Sequence, residues 1–188
     1  MTEPEAYIAL NMVTQVGPVR LRRLLGTFGS PVRVLEAPLR ELQRVDGIGS
    51  DVAASIRCWE DQVDLAGELA LVREFGAEVV TIGCSGYPAL LREIHDPPIV
   101  LYVWGRLEDR DRHAIGVVGT RKPSHYASEC AKKISYQLAS AGVTIVSGLA
   151  RGVDTSAHQG ALAAKGRTIA VIGSGFLSIY PPENQALA

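Results

Sequence analysis

The chain has 188 residues, 47% of them hydrophobic and 21% charged, with a formal net charge of −1. A core can form at that length and balance, so wholesale disorder is excluded, and so is a chain that is basic throughout. No apolar run nears the roughly 18 residues of a membrane span, and the acidic start MTEPEAYIAL is unlike the basic head of an export signal, so a cytoplasmic protein with no membrane partner is expected.

Residues 1–75 read as a helical domain. PEAYIALNMV makes one helix, with Tyr7, Ile8, Leu10 and Met12 to bury. Pro18 opens a second, which carries Leu21, Leu24, Leu25 and Phe28 at helical spacing and stops at Gly29. APLRELQRV gives a third, the turn Asp46-Gly47-Ile48-Gly49-Ser50-Asp51 leads into VAASIRCW, and one longer helix is predicted over DQVDLAGELALVREFG.

From residue 77 the period changes. AEVVTIG is short and β-branched, a short helix falls within GYPALLREIH, and a strand lies around 99–104. GRLEDRDRH reads as a charged loop or linker. Strands AIGVVG, VTIVSG and RTIAVIG then alternate with helices SHYASECAKKISYQLASAG and VDTSAHQGALAAKG. That β–α–β–α–β order predicts a parallel sheet with helices on its faces, so residues 76–188 are expected to form a Rossmann-type domain. The sequence ends soon after the third strand, where a doubly wound sheet continues, so the chain is expected to be the first part of a longer protein.

Each of the three strands is followed by a glycine turn: Gly119-Thr120-Arg121-Lys122-Pro123-Ser124, Ser147-Gly148-Leu149-Ala150-Arg151-Gly152 and Gly173-Ser174-Gly175-Phe176. In a parallel sheet all three lie at the carboxyl edge, where open α/β sheets bind ligands. Glycine lets the backbone approach an anion, the following helices offer N–H groups and a positive dipole end, and Arg121 and Arg151 add forked donors. Ser124 and Asp154 are candidate N-caps. Residues 107–188 hold nine Lys/Arg against six Asp/Glu, so the basic excess sits with the turns. A phosphate-bearing ligand follows. The turns do not spell G-x-G-x-x-G and no acid ends the second strand, which disfavours NAD; the absence of G-x-x-x-x-G-K-[ST] excludes a P-loop nucleotide. No cofactor is expected.

The strings VVGTRKPSHYA, VSGLARGVDTSAHQGALAAKGRTIAVIGSG and IYPPEN, with the lead-in YPALLREIHDPPIVLYVWG, resemble the DNA-processing protein A family, also called Smf. The resemblance is densest over residues 115–184 and implies an extended Rossmann fold, single-stranded DNA as ligand, a role in natural transformation that protects incoming strands and helps load the RecA recombinase, and a homodimer in the full-length protein. On it, Arg121 matches the arginine of the family's G-S/T-R turn in the DNA pocket, Thr120 keeps the hydroxyl where Ser is common, and Gly148 with Gly173 and Gly175 matches the pocket floor. The DNA- and phosphate-binding set expected is therefore Gly119, Thr120, Arg121, Lys122, Ser147, Gly148, Arg151, Gly173, Ser174 and Gly175.

Asp46-Gly47-Ile48-Gly49 resembles the second half of a helix-hairpin-helix unit, in a SAM-like helical domain, with VGPVRLRRLLGTFGSP as a looser first half. Such hairpins can hold DNA phosphate on backbone N–H groups, but Asp46 and Asp51 repel it. Arg20, Arg22 and Arg23 suit either DNA contact or a solvated helix face. Catalytic groups are sparse. Asp154 and His158 are one helical turn apart and are expected to pair and fix the second turn; His95 and His113 have no evident partner, and His125 could touch a phosphate. Tyr180 and Phe176 could stack on a base. Cys58, Cys84 and Cys130 form no C-x-x-C pair, so reduced thiols and no metal site are expected. A non-enzymatic DNA mediator is the leading reading. A Rossmann nucleotide-processing enzyme of phosphoribohydrolase type is the alternative, although its P-G-G-x-G-T turn does not occur, and a scaffold for a recombinase is a third.

Overall fold

A computed structural model describes residues 1–188, and their packing divides into two units, Met1–Leu107 and Glu108–Ala188. The division falls later than residue 75, where the period of the sequence changes. The reason lies in the first two strands, which add their apolar residues to the helical core and not to the parallel sheet.

In the first unit, α1 (Glu3–Met12) begins at Thr2, whose hydroxyl accepts from the Glu5 N–H while the Glu5 carboxylate accepts from the Thr2 N–H at 2.8 Å. Ala6 through Leu10 are all buried, so α1 is wrapped on every side. Pro18 opens α2 (Pro18–Phe28), which ends at Gly29 with φ +81°. The helical pattern of the sequence ends at that glycine, yet Ser30 caps a further helix, α3 (Pro31–Glu36), that buries Val34 and Leu35. After α4 (Leu39–Leu42) come α5 (Ser50–Arg57) and α6 (Trp59–Gln62). The single long helix predicted over 61–76 is broken: Asp64 accepts from the Gly67 N–H at 2.9 Å and starts α7 (Leu65–Phe75) afresh. β1 (Glu78–Thr81) and β2 (Val100–Val103) form an antiparallel ribbon in the register Glu78↔Val103 to Thr81↔Val100. The link between them holds α8 (Ala89–Arg92) and the buried Tyr87, whose hydroxyl donates to the Pro98 carbonyl at 2.8 Å. Ile99 and Val100 join Leu10, Leu21, Leu24 and Ile56 in one core.

The second unit opens with a 3-10 turn, Asp109–His113, where a linker was expected. Asp111 is largely buried and is bonded to two residues far along the chain: its Oδ1 accepts from the Thr144 hydroxyl at 2.9 Å and its Oδ2 from Arg167 Nη2 at 2.7 Å. β3 (Ala114–Gly116), α9 (His125–Ser140), β4 (Thr144–Ser147), α10 (Val153–Ala163) and β5 (Thr168–Ala170) follow. The strands are parallel in the order β3–β4–β5. Stepping one way across a sheet with right-handed crossovers puts both helices on one face. Ile145 accordingly packs on Ala139 of α9 and on Ala157 and Ala161 of α10, and this small core is built from alanines at close approach. A Cβ on Gly160 would stand 2.2 Å from the Lys132 carbonyl oxygen. Helices on both faces were expected; Val118 and Val171, 79% and 64% exposed, instead leave the second face open.

Candidate functional site

The three glycine turns lie together at the carboxyl edge of β3, β4 and β5, as the parallel order requires. The first rests directly on the second. Gly152 sits at φ +85°, and a Cβ there would meet the Thr120 carbonyl oxygen at 2.4 Å; a Cβ on Gly119 would meet Val153 Cγ2 at 2.7 Å. The Val153 N–H donates to the Thr120 carbonyl at 3.2 Å and fastens the two turns. Gly119 is thus a packing glycine, and Ser147, buried, donates its hydroxyl to the Val117 carbonyl at 2.7 Å as a strut between strands.

Asp154 is not an N-cap. Gly152 holds that position, and the buried Asp154 Oδ2 accepts from the N–H groups of Gly148 at 3.0 Å and Ala150 at 3.4 Å. Those two N–H groups are therefore taken by a carboxylate of the chain itself. Ser124 does cap α9, accepting from the Ala127 N–H at 3.2 Å. Asp154 and His158 do not act as a pair. His158, 2% exposed, meets the Thr168 hydroxyl through Nδ1 at 2.7 Å. That hydroxyl donates to the Ile145 carbonyl at 2.9 Å, so Nδ1 carries the proton and Nε2 is left buried without a partner. Burial pushes the His158 imidazole below its ordinary pKa, against the opposing pull of Asp154.

Between the turns is a cleft of about 390 Å³ lined by Arg121, Gly148, Ala150, Arg151, Gly173, Ser174 and Tyr180. Five of the ten expected binding residues line it: Arg121, Gly148, Arg151, Gly173 and Ser174. Thr120 and Lys122 close the first turn instead, the Lys122 N–H donating to the Thr120 hydroxyl at 3.2 Å, and Gly175 precedes a 3-10 turn at Phe176–Ser178. Two features of the cleft are chemically suited to an anion. The exposed Arg121 guanidinium has no ion-pair or hydrogen-bond partner, and the buried Ser174 hydroxyl has none either. The N–H groups of Thr120, Arg121, Gly173, Ser174 and Gly175 are also unpaired.

Arg151 differs. Glu183 grips it from two sides, through an Nε–Oε1 contact and an Nη2–Oε2 contact of 3.2 Å, while Nη1 donates to the Tyr180 hydroxyl at 3.2 Å. The guanidinium carbon lies 5.4 Å from the Tyr180 ring centre. The hydrogen bond from Arg151 holds the Glu183 carboxyl below the ordinary range. Asn184, 5% exposed, sets this arrangement by donating to the Leu149 carbonyl and the Thr155 hydroxyl, each at 2.8 Å. Sequence reading passed over Glu183 and Asn184; the signal was an amide side chain directly after a proline turn, able to satisfy the carbonyls of a neighbouring loop.

In the helical unit the three α2 arginines are all occupied. Arg23 Nη1 donates to the Asp46 carbonyl at 3.0 Å and pairs with its carboxylate at 2.9 Å, Arg20 Nε donates to the Gly47 carbonyl at 3.2 Å, and Arg22 holds His95 and Asp96. Arg20 and Arg23 clamp the glycine hairpin onto α2, and Arg22 ties α2 to the segment before β2.

A family model described as DNA recombination-mediator protein A matches residues 78–188. Protein Smf of Synechocystis sp. is 38% identical over 190 residues, covering 99% of this chain and 48% of that protein. DNA processing protein DprA of Bacillus subtilis is 42% identical over 121 residues, covering 64% of this chain and 41% of that protein. The X-ray structure of DprA from Streptococcus pneumoniae superposes with a TM-score of 0.77 at 32% identity, over 100% of this chain and 63% of that one. A structure of DNA processing protein A from Helicobacter pylori, described for its single-stranded DNA binding mode, superposes with a TM-score of 0.51 at 30% identity, over 60% of this chain and 51% of that one. The chain spans about half the length of the curated relatives it matches.

Proposed function

Because the chain belongs to the DNA recombination-mediator protein A family, we propose that its glycine-turn cleft binds the phosphodiester backbone of single-stranded DNA. The observation that carries this reading is the unpaired Arg121 guanidinium beside the partnerless Ser174 hydroxyl, in a cleft with free backbone N–H groups on two turns. A phosphate is the ligand that satisfies a forked cation, a hydroxyl and N–H donors at once. Arg121, Ser174 and Gly173 take direct contacts in this reading, with Thr120, Lys122 and Gly175 at the rim; Gly119 and Ser147 hold the turns in place, and Gly148 leaves room for the ligand. Tyr180 offers a face for a base. A strand that is read through its backbone is bound with little regard to sequence. In the full-length protein this binding serves to protect the strand and to load a RecA recombinase, as a cytoplasmic homodimer.

A fluorescence-anisotropy titration with oligo-dT and with a duplex of equal length tests the reading. Tighter binding of the single strand is expected, weakening steeply as salt rises. Equal affinity for the two, or a flat salt response, overturns it. Nucleoside monophosphates are expected to remain intact on incubation; release of base or ribose phosphate points to the enzyme reading instead.

A further inference from the structure

We propose that Glu183 is a built-in competitor for the DNA backbone: its carboxylate occupies the fork of Arg151 that a phosphate would take, and it withdraws when the strand binds. The inference rests on the cleft being the phosphate site. The contacts of Glu183 with Arg151 have the two-point geometry by which a guanidinium holds a phosphate. The carboxylate belongs to a neighbouring segment and not to the turn itself, so it can leave without unfolding the turn. Its position is nonetheless fixed, since the next residue, Asn184, is bonded to Leu149 and Thr155. Glu183 is also half exposed, its side chain at 53%, so withdrawal costs no buried contact. Asp154 repeats the device in a permanent form: it fills the N–H groups of Gly148 and Ala150, but from a buried position. The cleft thus has one cation open, Arg121, and one shielded, Arg151. The shielded one engages only ligands that outcompete a tethered carboxylate, which favours a strand with several phosphates over a single free phosphate.

The test is a set of anisotropy titrations with oligo-dT across salt concentrations, on the whole chain and on Glu183→Gln, Arg151→Gln and the double variant. Glu183→Gln is expected to bind about tenfold tighter, with the slope of log affinity against log salt steeper by about 0.7, the value for one further phosphate contact on a single strand. The gain is expected to vanish in the double variant. Unchanged or weaker binding by Glu183→Gln overturns the proposal, because a carboxylate that merely positions Arg151 gives that result. A gain that persists without Arg151 also overturns it, since removal of a nearby negative charge then explains the change. If no protein binds oligo-dT, the DNA reading fails, and the same four proteins titrated with inorganic pyrophosphate decide the gate: tighter binding by Glu183→Gln that depends on Arg151 upholds it, and no difference rejects it.

Discussion

The three arginines of α2 and the arginine of the first glycine turn are used in opposite ways, and the two units differ in the small residues of their cores. In the helical unit, Arg20, Arg22 and Arg23 point their donors at carbonyls and carboxylates of the same chain, and the hydrophobic interior is mostly Leu, Ile and Val. In the Rossmann unit, Arg121 is left without a partner at the rim of a cleft, and the interior is mostly alanine. The lesson concerns where cations count. A cluster of arginines on a helix is a weak sign of a polyanion site when nearby carbonyls can consume it. One arginine on a glycine turn is a stronger sign, because the turn offers few acceptors of its own.

The contrast in packing is the easiest part to break. The helical core fails by deletion: Leu24, fully buried, is expected to cost about 3 kcal/mol on Leu24→Ala. The Rossmann core fails by addition: Gly160→Val is expected to cost about 3 kcal/mol, because the new Cβ would collide with the backbone of α9 at Lys132 and the helices must part. Urea unfolding of each variant measures both. A mild effect of Gly160→Val means that α9 and α10 can separate cheaply, and the small-residue account of that core then falls.

The contrast in arginines comes next in size. Arg121→Glu is expected to weaken oligo-dT binding by at least about tenfold, by replacing an unpaired donor with a repelling charge. Stability should hardly change, since the side chain is exposed and makes no hydrogen bond or ion pair. Arg23→Gln is expected to do the reverse. It loses its bonds to Asp46, at a cost of about 1 kcal/mol in stability, with DNA affinity unchanged. If Arg23→Gln weakens DNA binding as much as Arg121→Glu does, the hairpin takes part in the interface and the two sets of arginines do not differ in role.

These differences were unevenly legible in the sequence. The alternating strands and helices of residues 114–173, and the meeting of three glycine turns on one edge, follow from hydrophobic period and the rule for parallel sheets, and both are present. The α3 helix was hidden because Gly29-Ser30-Pro31 reads as a stop, while Ser30 is also an N-cap. The charged stretch 105–113 looked like a linker because charge suggests solvent; Asp111 is instead held by Arg167 and Thr144, partners 56 and 33 residues away that no local pattern reveals. For the same reason Arg121 and Arg151 are indistinguishable in the sequence. Both stand on glycine turns, and only the fold brings Glu183 to one of them, from 32 residues further along the chain.

The smallest expected effect is a pH dependence carried chiefly by buried groups of the Rossmann unit. Burial lowers the pKa of His158 in the folded state, so over this range the unfolded chain binds the proton more readily. By linkage the stabilising contribution is complete above the unfolded value, about 6.5, and is lost as pH falls below it. Asp111 works in the same direction at lower pH. Burial alone would raise its pKa, but the bonds from Arg167, the Glu108 N–H and Thr144 outweigh this and leave it depressed; its contribution is present above the ordinary carboxylate range and is lost as pH falls through the folded value. Both groups lie in residues 108–188, whereas both tryptophans, Trp59 and Trp104, lie in residues 1–107. Acid titration should therefore move far-UV circular dichroism before tryptophan fluorescence, and His158→Gln should remove the part of that change that lies nearest pH 6. Coincident transitions by the two probes would mean that the two units lose their structure as one, and the separate bases assigned to their stability would have to be abandoned.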